Sequence, residues 1–104
     1  MNSSIRELIS RRQRQVLLHS FLYYELDVNY LKDSEYDALA RELAQLIREY
    51  PEEFLASVFP KAFKGYTGAT GMGLPYHQQG IYRMARSLFP NQFEAWGKSH
   101  WKDY

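Results

Sequence analysis

The sequence predicts an all-α fold: a small helical domain built on an N-terminal antiparallel helical hairpin, with a Gly-rich loop and two short C-terminal helices. Apolar residues recur at helical spacing through residues 5–47 and again through 77–89. Proline and glycine cluster at a few points that divide these stretches. No stretch alternates apolar and polar residues as a half-buried strand does. A chain of 104 residues has room for one modest core. It is expected to form a single domain over 1–104, with the hairpin at 5–50 and a helical extension at 51–104 that includes a Gly-rich loop at 64–75.

Each element has its own signal. Ser4-Ile5-Arg6-Glu7 reads as a capping box, its hydroxyl and carboxylate accepting from exposed backbone N–H groups. Ile5, Leu8, Ile9, Val16, Phe21 and Leu22 then predict a first helix from Ile5 to about Leu26. Asp27 to Lys32 is a connection, and Asp33 or Ser34 caps a second helix with Tyr36, Leu39, Ala40, Leu43, Leu46 and Ile47 on one face. That helix stops before Pro51, because the residue preceding a proline disfavours helical backbone. Pro51-Glu52-Glu53 reads as a fresh first turn of a short helix to about Val58. Four glycines (Gly65, Gly68, Gly71 and Gly73) follow within nine residues, marking a long irregular loop between Phe59 and Pro75. Helical patterning returns from His77 to Phe89, and Asn91 is placed to cap a last helix that stops at Gly97.

Composition narrows the function classes. Thirteen basic and twelve acidic side chains leave a formal charge of +1, which argues against a dedicated nucleic-acid binder. The absence of cysteine excludes disulfides and thiolate metal sites, and fits a cytoplasmic protein. No stretch approaches the roughly 20 apolar residues of a membrane span, and the N-terminus lacks the apolar run of a signal peptide. The aromatic share of 16% is high for so small a core, and tyrosine and tryptophan favour surfaces that bind something.

The informative stretch is Leu22-Tyr23-Tyr24-Glu25-Leu26-Asp27, followed after a short spacer by Asp33-Ser34-Glu35-Tyr36-Asp37-Ala38-Leu39. It puts Tyr23 and Tyr24 near the end of one helix, and Tyr36 and Asp37 in the first turn of the next. Folding the hairpin brings tyrosine rings and carboxylates to one end. Aromatic faces attract a flat cationic ring, and carboxylates accept hydrogen bonds from ribose hydroxyls or a carboxamide. The same residues also suit a plain structural role, with Tyr23 and Tyr36 packing the hairpin and Asp33 and Asp37 complementing the helix dipole.

These paired motifs resemble the signature of the N-terminal helical domain of bacterial NAD-dependent DNA ligases over about residues 5–50. The resemblance implies a domain that grips the nicotinamide mononucleotide half of NAD. It implies Tyr23, Tyr24, Asp33, Tyr36 and Asp37 as the nucleotide-binding positions. Tyr24 stands where many ligases have histidine, and Asn29 where they usually have proline. No Lys-x-Asp-Gly adenylation motif occurs, so the chain offers no lysine nucleophile for a lysyl-AMP intermediate.

Other motifs offer less. The Gly65–Gly73 stretch matches neither phosphate-loop fingerprint, although its backbone, Tyr66, Thr67, Thr70 and the following Arg83 and Arg86 are candidates for distal contacts. His19, His77 and His100 lack metal-ligand spacing and read as packed or surface residues. The chain is therefore expected not to be an enzyme. It is expected to bind NAD, nicotinamide mononucleotide or an ADP-ribose-type nucleotide for sensing or sequestration, without a catalytic cofactor or metal. Such a module suits a phage or mobile-element protein. Two alternatives stand beside it. One is a protein–protein interaction module or inhibitor, self-association included, presenting Phe54, Phe59, Tyr76, Tyr82, Trp96 and Trp101 on its surface. The other is a detached accessory domain that completes a nucleotidyltransferase in trans.

Overall fold

The computed structural model describes residues 1–68 and 73–100. Among these residues the regular structure is five helices in chain order: α1 (Ser3–Glu25), α2 (Asp33–Glu49), α3 (Pro51–Leu55), α4 (Gln79–Leu88) and α5 (Pro90–Ser99). Among the described residues there is no strand, and no helix is long and apolar enough to cross a membrane.

Helix α1 begins two residues before the expected start. Asn2, not Ser4, is the cap: its Oδ1 accepts from the Ile5 N–H at 3.1 Å, while its own N–H donates to Glu53 Oε2 at 2.9 Å. The chain start is thereby tied to α3, and these hydrogen bonds hold the Glu53 carboxyl below its ordinary range. In α2 the first helical residue is Asp33 and the cap position is Lys32, whose N–H donates to Glu35 Oε1 at 3.0 Å. Asp33 thus complements the dipole from within the first turn instead of capping it. Pro51 opens α3 as the sequence predicts, but that helix ends at Leu55. Gly97 does not stop α5, which runs two residues further with Gly97 buried inside it.

Residues Val16 to Leu22 of α1 are all buried, because α1 packs against α2, α3 and α4 at once. A helix enclosed on several sides needs no polar face there. Phe21 is the centre of the core, ringed by Tyr76, His77, Tyr82, Phe93 and Trp96 at centroid distances of 5.0–6.2 Å. The fully buried Gln13 ties α1 to the segment after α3. Its amide donates to Ser57 Oγ at 2.9 Å, and its carbonyl accepts from the Phe59 N–H at 3.2 Å. One apolar cluster includes Ile9 and Phe21 of the hairpin together with Ile81, Ala85, Phe93 and Trp96 of the last two helices.

The connection between α1 and α2 turns on Asp27. Its φ of 56° lies in the left-handed region, which short polar side chains tolerate better than most. That turn returns the Val28 N–H to Leu22 O at 2.9 Å and delivers the chain to the start of α2. On the far side of the hairpin, Gly68 at φ 85° sits so close to α2 that a Cβ there would lie 3.0 Å from Ala40 O. The loop following Phe63 is thus pressed onto α2, within one turn of Tyr36.

Candidate functional site

The end of the hairpin holds the five residues singled out by the sequence. Tyr23 and Tyr24 stand 46% and 39% exposed on the last turns of α1, in edge contact with each other at 5.0 Å. Across the turn, Asp33 and Asp37 are exposed at the start of α2, with half-buried Tyr36 between them. Tyr23 and Tyr36 do not meet directly. Their rings are joined through His19, which stacks on Tyr36 at 4.4 Å and on Tyr23 at 6.0 Å.

His19 is a residue whose importance the sequence hid. It is 8% exposed, so on position alone it belongs to the core. Yet its Nδ1 is buried without a hydrogen-bond partner, as are the hydroxyls of Tyr36 and Tyr66. An unpaired buried polar atom costs about 1–3 kcal/mol and is uncommon enough to need a reason. Burial lowers the pKa of the imidazole, and the nearby Asp33 carboxylate partly offsets this. The Tyr36 phenol is pushed up, chiefly by burial, and its nearest polar neighbours are the hydroxyls of Ser20 and Tyr66. Ser20 already donates to Val16 O at 2.8 Å. Tyr66 comes from the loop beyond the hairpin and packs edge-on against the buried Phe63 at 5.0 Å.

The second half of the chain reaches the same end of the molecule. Tyr76 lies nearly parallel to Tyr24, at 9° and 6.3 Å between centroids. Its hydroxyl donates to Glu25 Oε2 at 2.8 Å, and Trp96 Nε1 donates to Glu25 Oε1 at 3.0 Å. Burial and the carboxylate together push the Tyr76 phenol up to about 12. Glu25 stood inside the motif in the sequence, but nothing local gave it a role. Its two partners are 51 and 71 residues away.

Electrostatics at this end favour a cation. Between Tyr23 and Asp37 there are five carboxylates (Glu25, Asp27, Asp33, Glu35 and Asp37) against a single base, Lys32. A positively charged ring placed here meets an acidic surround and the exposed rings of Tyr23 and Tyr24. A phosphate does not find its counter-charge in the same stretch. Arg83, a candidate phosphate partner from the sequence, instead lines a groove of about 230 Å³ with Arg14, Phe59, Gly80, Ile81 and Met84. A second cleft of about 370 Å³ lies between Val58–Ala62 and Pro75–Gln78. Neither cleft is lined by the five hairpin residues.

The surface assignment is corrected for two of the surplus aromatics, Tyr82 and Trp96. Tyr82 and Trp96 are only 4% and 5% exposed, and Phe54, Phe59 and Tyr76 are partly buried against the core. Tyr76, Tyr82 and Trp96 pack around Phe21, while Phe54 and Phe59 lie partly buried against the same core cluster. Trp101 and Thr70 lie outside the described residues. Among the described residues, no group of three or more histidine, cysteine or acidic side chains is placed to hold a metal ion.

Comparison with known proteins decides the family. The family model described as the DNA ligase-like, N-terminal NAD+-binding domain matches residues 2–57, more than half of the chain. The chain belongs to this family. A DNA ligase of Dehalococcoides mccartyi is 32% identical over 93 residues, which is 89% of this chain and 14% of that protein. A DNA ligase of a Synechococcus strain is 33% identical over 87 residues, 82% of this chain and 12% of that protein. Over a shorter stretch of 44 residues, a Geobacter metallireducens DNA ligase reaches 48% identity, covering 42% of this chain and 7% of that protein. The chain thus spans about one-seventh or less of the curated relatives it matches. No solved structure matches it. All five hairpin residues fall inside the matched region, whereas Tyr66, Tyr76 and Trp96 lie beyond it.

Proposed function

We propose that this chain binds the nicotinamide ring of NAD or nicotinamide mononucleotide at the open end of the hairpin, without catalysing a reaction on it. Tyr23 and Tyr36 stack on the ring, Tyr24 closes over it, and Asp33 and Asp37 accept hydrogen bonds from the carboxamide and the ribose. Residues 1–104 act as one module, since Tyr76 and Trp96 brace the hairpin from the second half of the chain. Such a module sequesters or senses a nicotinamide nucleotide. The observation that carries this reading is the set of stacked rings and clustered carboxylates at the hairpin end of a ligase-type NAD+-binding domain.

Isothermal titration against NAD, nicotinamide mononucleotide and ADP-ribose tests it. The first two should bind and ADP-ribose, which lacks the cationic ring, should bind far more weakly. Removing a face that contributes about 0.5–2 kcal/mol by cation–π attraction, with its apolar contact, should make Tyr36→Ala at least tenfold weaker than the parent. Equal affinity for NAD and ADP-ribose, or undiminished binding by a folded Tyr36→Ala variant, would refute ring recognition. The burial of Tyr82 and Trp96 takes these two rings, though not Phe54, Phe59 or Tyr76, out of the protein-partner reading.

A further inference from the structure

We propose that His19 is a sixth member of this nucleotide site: it supplies the ring that links Tyr23 to Tyr36, and it admits a cationic nicotinamide only while its imidazole is neutral. The inference deepens the nucleotide reading and rests on it. Its basis is geometric. His19 stacks on both tyrosines expected to hold the ligand, at 6.0 and 4.4 Å, and belongs to the family-matched helix α1. A planar cation held by Tyr23 and Tyr36 would therefore rest against the two rings that the imidazole itself touches.

The surroundings favour the neutral form. The imidazole is more than nine-tenths buried, its Nδ1 has no acceptor to stabilise a second N–H, and Asp33 is the charged group whose field reaches it. From α1 it faces the Tyr23 ring, from α2 Tyr36 and Asp33, and beyond Tyr36 the loop places the Tyr66 hydroxyl. Among the described residues no lysine or arginine contributes to the shift. Protonation would set one buried positive charge beside another. Neutral rings of the same shape, such as a benzamide isostere or the dihydronicotinamide, would not feel that repulsion. The residue thus ties affinity to the charge of the ligand ring as well as to pH.

Where a ligand binds only one protonation state, the apparent affinity falls with the fraction of that state. Below the titration of His19, NAD affinity should drop about tenfold per pH unit. The experiment is calorimetric titration from pH 8 to pH 5 with NAD and with the benzamide isostere of NAD, which shares its pyrophosphate and adenosine but carries an uncharged ring. The parent protein should lose NAD affinity with this slope and lose isostere affinity several-fold less. His19→Gln, checked for folding by thermal melting, should abolish the excess slope for NAD. A readout without substitution comes from NMR of the labelled imidazole: bound NAD should move the His19 titration to lower pH. Parallel loss of NAD and isostere, a parent-like slope in His19→Gln, or an unmoved imidazole titration each overturns the role of His19 and leaves ring binding standing. Failure of NAD to bind at pH 8 overturns both.

Discussion

Truncating Glu25 to alanine leaves two donors without their acceptor at once: the Tyr76 hydroxyl at 2.8 Å and Trp96 Nε1 at 3.0 Å. Hydrogen bonds to charged groups contribute about 1.5–3 kcal/mol each, and an unsatisfied buried donor adds its own desolvation cost. The indole is 5% exposed, so water cannot freely replace the carboxylate there, whereas Tyr76 is partly exposed and recovers part of its loss. Discounting the second bond for that exposure, Glu25→Ala should destabilise the protein by about 3–4 kcal/mol. Glu25→Gln, which keeps one acceptor oxygen, should lose about half as much. Urea unfolding followed by tryptophan fluorescence gives both numbers from the midpoint and slope. Spectrophotometric titration of the phenols adds an independent check, because the Tyr76 phenol, held up at about 12, should titrate lower once the carboxylate is gone. A Glu25→Ala protein within 1 kcal/mol of the parent, with unchanged phenol titration, would refute the idea that this carboxylate clamps the second half of the chain to the hairpin.

Other substitutions test separate links. Gln13→Ala removes the fully buried amide that spans Ser57 and the Phe59 backbone, and should cost about 2–4 kcal/mol by urea denaturation. Asp27→Gly relieves a left-handed backbone at φ 56° and should raise stability by up to about 1 kcal/mol, read as a higher Tm. Stability should also depend on His19: its folded-state pKa lies below its unfolded value, so the unfolded chain binds the extra proton first. The contribution is therefore complete above about pH 6.5 and is lost as pH falls through the folded-state value, with a slope of at most about 1.4 kcal/mol per pH unit that His19→Gln abolishes in denaturation curves.

The fold was legible wherever its cause was local. Helical spacing placed α2 and a proline marked the start of α3, whereas α5 already begins at Pro90, with the expected cap Asn91 inside its first turn. The caps were less legible, since Asn2 competes with Ser4 for α1 and only the contact with Glu53 fixes the chain start. Gly97 reads as a stop in isolation, but in the structure it is buried within α5, where a residue without a side chain fits. At the candidate site, the grouping of Tyr23, Tyr24, Asp33, Tyr36 and Asp37 followed from a short turn between two helices. His19 and Glu25 did not, because their roles come from neighbours 17, 51 and 71 positions away. A lone histidine in an apolar run gives no sign that its Nδ1 will lack a partner.

The charge at the hairpin end bears on which half of a nucleotide is recognised. Five carboxylates and one lysine in fifteen residues attract a pyridinium and oppose a phosphate placed against them. Arg14 and Arg83, which could serve a phosphate, line a different groove. On the proposed reading, binding at the hairpin is led by the ring, with the phosphate turned toward solvent. On the same proposed reading the neutral state of His19 matters, since its imidazole stacks on Tyr36 and Tyr23 and an added positive charge there would oppose a cationic ring held by them. Because the imidazole is nine-tenths buried, solvent screens that charge far less than it would a surface lysine.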